Sequence, residues 1–130
     1  MKVKLTSFVL AGLVVLALGV SSVALAAGGL AGTYTTTLKS PAELKGAWKL
    51  TLAQGGSYVV ALNGQNVARG RYSSTATTIT FDRERGSGCT GAGTYAWKKS
   101  GKYVTFVRKH ESSSCKGRAI VFTHRFTQVR

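Results

Sequence analysis

The residues of this 130-residue chain best suited to chemistry are two cysteines, Cys89 and Cys115, two histidines, His110 and His124, and four carboxylates, Glu43, Asp82, Glu84 and Glu111. Nucleophilic catalysis needs a Ser or Cys presented on a sharp turn with a base in reach, and no such arrangement is legible here. His110 and Glu111 are neighbours on an extended segment, so their side chains point to opposite faces and His110 is read as a solvated strand end. His124 falls between Phe122 and Phe126 on an inward phase and is read as an interior histidine. Arg83-Glu84-Arg85 is read as a solvated loop with internal charge pairing, and Gly86-Ser87-Gly88 has no helix after it, which excludes a phosphate loop. No catalytic residues, metal ligands or cofactor are expected. The two cysteines lack the histidine pattern of a zinc site and are read as a disulfide. Closing a loop of about 25 residues stabilises by roughly 3 kcal/mol through the unfolded state.

A disulfide requires an oxidising compartment, and the N-terminus supplies an address. Lys2 and Lys4 precede an apolar run from Phe8 to Val20, and Ala24-Leu25-Ala26 offers small residues at a cleavage site, the pattern of a signal peptide over residues 1–26. Gly12, Gly19, Ser21 and Ser22 dilute the run below the roughly 18 apolar residues of a membrane span. Residues 27–130 then form a single exported domain, secreted to the periplasm or the medium. Without Lys2 and Lys4 the 18 basic residues become 16 against four acidic ones, a net charge of +12. Such a field attracts anionic polymers and membrane surfaces nonspecifically. The basic residues are scattered, so no specific nucleic-acid site is expected, and the domain is read as a monomer.

The positioning elements are short runs rich in Thr, Val, Tyr and Phe, punctuated by Gly, Ser and Asn. Eight strands are predicted: 32–38, 46–53, 57–62, 66–73, 77–83, 91–98, 102–109 and 118–129. Asn63-Gly64 and Ser100-Gly101 mark hairpins. Ser40 to Leu44 is a short helical turn, with Ser40 as N-cap, Pro41 at the first helical position and Glu43 at the capping-box position. Alternation puts Trp48, Leu50, Leu52, Tyr58, Val60, Leu62, Ile79, Phe81, Tyr95, Trp97, Val104, Phe106, Ile120, Phe122 and Phe126 on one face and Thr- and Lys-rich positions on the other. Hairpin-linked strands with one dry face each are best satisfied by an all-β, eight-stranded, up-and-down antiparallel barrel. A two-sheet sandwich needs a long crossover, and the gaps between predicted strands are short.

The turn leading into Gly46-Ala47-Trp48 resembles the Gly-x-Trp signature that opens the barrel in lipocalins and related calycins, and the chain is similar to small secreted bacterial lipocalin-like proteins. The strand 32–38 precedes this signature, so strand order is shifted by one. The resemblance implies that Gly46 and Trp48 are structural and that an arginine of the last strand, Arg118 in preference to Arg125, packs over Trp48 by a cation–π contact. It also implies a binding module. The residues then expected to line an interior site for a small hydrophobic or amphipathic ligand are Tyr58, Phe81, Tyr95, Trp97, Phe106, Phe122 and His124. The alternative is a scaffold that works through its basic exterior and loops, as an inhibitor or an envelope binder.

Overall fold

A computed structural model describes residues 29–130; the expected signal peptide, 1–26, lies outside them. Eight strands follow one another around a closed barrel: β1 (Gly32–Leu38), β2 (Gly46–Leu52), β3 (Ser57–Leu62), β4 (Gln65–Ser74), β5 (Thr78–Arg85), β6 (Gly93–Ser100), β7 (Tyr103–His110) and β8 (Phe126–Val129). Every neighbouring pair is antiparallel, and β8 closes the ring on β1 through Thr33↔Val129, Tyr34↔Gln128 and Thr35↔Thr127. β-Branched residues fill the outward positions of β1 and the hairpin turns carry the positive φ angles that tight reversals need: Asn63 at 51° and Gly64 at 84°. Asn63 also accepts from the Ala47 amide at 2.9 Å, which ties this turn to the start of β2. Gly46 is required there, because a Cβ at this position would stand 2.7–2.8 Å from Asn63 and Leu62 side-chain atoms.

The interior is filled by aromatic rings. Phe81 lies at its centre, edge-on to Tyr58 at 5.0 Å, Tyr95 at 5.9 Å, Phe106 at 6.3 Å and Phe122 at 4.8 Å between centroids, the geometry ring quadrupoles favour. Tyr34, Leu38, Tyr72 and Val121, absent from the expected inward set, are buried with them. The middle of the barrel therefore holds packed side chains, as expected for an eight-stranded ring.

The largest departure from the sequence reading lies between β7 and β8. Of the run expected to be one strand from Arg118 to Val129, only Phe126–Val129 is strand; its first part belongs to a helix, α1 (Lys116–Phe122), which follows a 3-10 turn (Ser113–Cys115). Its buried residues are Arg118, Val121 and Phe122, the i, i+3, i+4 spacing of one helical face. Ile120, expected inward, is exposed, and His124 sits beyond the helix end with its Nδ1 donating to the Ile120 carbonyl at 2.8 Å. Seven residues are too few to be helical alone in water, so tertiary contacts hold α1 in place. A disulfide between Cys89 and Cys115 anchors its N-terminal side to the β5–β6 loop. The turn before β2 is also shorter than expected: a 3-10 turn at Ala42–Leu44 with Pro41 at its N-cap and no side-chain capping bond from Ser40.

Candidate functional site

α1 crosses the end of the barrel where β5 and β7 finish, and it brings one cation into the interior. The Arg118 side chain is 2 % exposed. Its Nε and Nη2 donate to Glu111 Oε2 at 2.9 Å and Oε1 at 2.6 Å, and Nη2 also donates to the Gly91 carbonyl at 3.0 Å. Nη1 reaches Glu84 Oε1 at 3.4 Å and the Tyr58 hydroxyl at 3.5 Å. Tyr58 in turn donates to Glu84 Oε1 at 2.5 Å, Ser87 Oγ donates to Glu84 Oε2, and Tyr95 donates to Glu111 Oε2. The expected packing of Arg118 over Trp48 is thus replaced by ion pairs. Glu84, expected in a solvated loop, belongs to β5 and has a side chain only 4 % exposed.

Two bulges aim these carboxylates. In β5 the register runs Arg69↔Arg85 and Arg71↔Asp82, so Arg83 and Glu84 together oppose the single residue Gly70, and Arg83 is the extra one, with φ at 54°. Strict alternation from Ile79 and Phe81 would turn Arg83 inward; the inserted residue reverses the phase and turns Glu84 inward instead. In β7 the register passes from Val107-Arg108 opposite Ala96-Tyr95 to His110 opposite Thr94, with Lys109 extra. That insertion likewise brings Glu111 onto the side of Val104 and Phe106. Gly93 makes room for it, since a Cβ there would overlap the Glu111 carboxylate.

The environment sets the protonation states. Burial alone would raise the Glu111 carboxyl, but hydrogen bonds from Arg118 and Tyr95 outweigh it and hold the group below its ordinary value. Burial, reinforced by the carboxylate each one donates to, pushes Tyr58 and Tyr95 well above the ordinary phenol range. Burial works against the charge on Arg118, yet the Glu111 contacts outweigh it and keep the guanidinium protonated.

Beside this cluster lies a cleft of about 180 Å³, lined by Leu44, Trp48, Val60, Val67, Val121 and Phe122 among apolar residues and by Glu84, Ser87 and Arg118 on its polar side. Trp48 donates its indole N–H to the Leu44 carbonyl at 2.7 Å, so the same ring holds the 3-10 turn and walls the cleft. Of the residues expected to contact a ligand, Phe122 alone lines this space. Tyr58, Phe81, Tyr95 and Phe106 pack in the aromatic interior. Trp97 is partly exposed, donating to the Thr75 carbonyl at 3.0 Å, and His124 lies past the end of α1. The sequence reading missed Glu84, Ser87, Val67 and Gly117, a further residue of the lining. The available signal was the scarcity of acids: two of only four carboxylates converge on one buried arginine. Among the described residues, no group of three or more His, Cys, Asp or Glu side chains is placed to hold a metal.

No protein-family model, no curated protein and no solved structure matches the chain.

Proposed function

We propose that this chain is an exported binding protein that holds a small apolar or amphipathic molecule, and that the site is the cleft beneath α1 rather than the barrel lumen. The observation that carries the reading is the cleft itself, about 180 Å³ of largely apolar lining with a few polar groups on one side. An apolar cavity of about 150 Å³ accommodates benzene, so this space suits a ligand of one ring or a short chain. The closed antiparallel barrel is compatible with the calycin-like architecture implied by Gly46-Ala47-Trp48. The disulfide and the signal-like N-terminus support export. The reading is of a binder, without a catalytic role.

Gly117 provides the test. It lies on α1 at the cleft wall, and a Cβ added there would meet only Leu44, at 4.0 Å. Gly117→Leu should fill the cleft while keeping the fold, helped by the better helix propensity of leucine. A small apolar fluorophore should bind near one-to-one to the native chain, change tryptophan emission, and lose binding in Gly117→Leu. Undiminished binding in the variant would place the site elsewhere.

A second reading rests on Arg69 and Arg85, which are direct cross-strand partners and line a second, more polar cleft with Asn66 and Val67. Like charges directly opposed are destabilising unless neutralised, and an anionic polymer would neutralise them. Such binding should weaken steeply between about 50 and 200 mM salt, whereas binding in the apolar cleft should not.

A further inference from the structure

We infer that the cleft beneath α1 selects an amphipathic amine, with Glu84 as its counter-ion. The inference rests on the reading of the cleft as the ligand site and adds the chemical class of what enters it. The buried cluster contains two carboxylates and one guanidinium, and the geometry shares that guanidinium unequally. Glu111 takes two short charge-assisted bonds from Arg118, at 2.9 and 2.6 Å, whereas Glu84 has a single 3.4 Å contact. Among the described residues, Arg118 makes the only ion pairs. Two carboxylates against one guanidinium leave the cluster a net negative charge, and Glu84, held by Tyr58, Ser87 and the longer Arg118 contact, is the carboxylate that the guanidinium compensates less; its side chain is 4 % exposed.

A buried charge without a counter-charge is costly, and a cation in the adjacent space relieves the cost. Glu84 lines the cleft, so a ligand ammonium there comes within reach of its carboxylate. Arg118 lines the cleft too, but its donors are already committed to Glu111, Glu84, Tyr58 and the Gly91 carbonyl, which leaves little for an anionic ligand. Trp48 supplies a second attraction, since an ammonium is drawn to an indole face. The apolar walls, Leu44, Val60, Val67, Val121 and Phe122, receive a hydrocarbon body.

The test compares hexylamine, 1-hexanol and hexanoate on the native chain at about pH 7 and about 0.15 M salt, by calorimetry and tryptophan emission. One body with three head groups isolates the head-group charge. Hexylamine is expected to bind about tenfold or more tightly than hexanol, with hexanoate weakest, despite a basic exterior that favours the anion. In Glu84→Gln the advantage of the amine over hexanol should disappear. Should that variant not fold, the three-compound comparison on the native chain decides alone. Equal affinity for amine and alcohol, or a preference for hexanoate, overturns the inference and leaves the cleft as an apolar site. Failure of all three to bind overturns the inference together with the reading on which it rests.

Discussion

Arg118 and Glu111 form a two-pronged pair, Nε to Oε2 at 2.9 Å and Nη2 to Oε1 at 2.6 Å, with side chains 2 % and 1 % exposed. The pair joins the helix that closes the barrel to the end of the strand seven residues earlier. Replacing Arg118 with Met would leave Glu111 buried without its counter-charge, at a cost of about 3–5 kcal/mol. The double variant Arg118→Met/Glu111→Gln should lose less than the two single variants combined, by about 1–3 kcal/mol. Urea unfolding midpoints measure this. Strict additivity would mean that the two groups are not coupled.

The same cluster sets the pH dependence of stability. The folded Glu111 pKa lies below its ordinary value of 4.5, so its stabilisation is present above about pH 4.5 and is lost as pH falls through the folded value. Tyr58 and Tyr95 are raised from 10.0, so theirs is present below about pH 10 and is lost above it, at about 1.4 kcal/mol per pH unit for each phenol that ionises only when unfolded. The thermal midpoint should be level from about pH 5 to 9 and fall on both sides. Tyr58→Phe and Tyr95→Phe should each flatten the alkaline limb; an unchanged slope would contradict their burial as phenols.

The Cys89–Cys115 bond, 26 residues apart in sequence, should leave no titratable thiol in unreduced, denatured protein. Replacing both cysteines with serine should cost about 3 kcal/mol, chiefly by freeing the unfolded chain. Two reactive thiols in unreduced protein would be incompatible with the bond.

Arg83 tests the bulge that aims Glu84. Its φ of 54° is a left-handed conformation that costs a non-glycine residue roughly 1–2 kcal/mol. Arg83→Gly should therefore raise stability, by up to about 1 kcal/mol once the greater freedom of unfolded glycine is offset. Arg83→Val should lower it, because a β-branched residue tolerates this conformation least. Calorimetric midpoints in the opposite order would show that the bulge is not built on Arg83.

Much of the fold was legible in the chain because a strand's side chains alternate with a period of two. Trp48 and Leu50, Ile79 and Phe81, and Val104 and Phe106 announce the dry face of their strands, and Asn63-Gly64 announces its hairpin. Eight sequential antiparallel strands with one dry face each close most simply into a ring, and the chain's two cysteines had only each other to pair with. The site was not legible, because it depends on departures from that period. One extra residue in β5 and one in β7 reverse the phase at Glu84 and Glu111, and local composition does not say where a strand will carry an insertion. The run from Lys116 to Phe122 is similarly ambiguous: its apolar positions fit alternation as well as a helical face, and in isolation it is too short for either state to prevail. Only the closed barrel decided it. The open end of the ring had to be covered, the disulfide fixed where the cover begins, and two inward carboxylates gave Arg118 a partner it could meet only from a helix lying across that end.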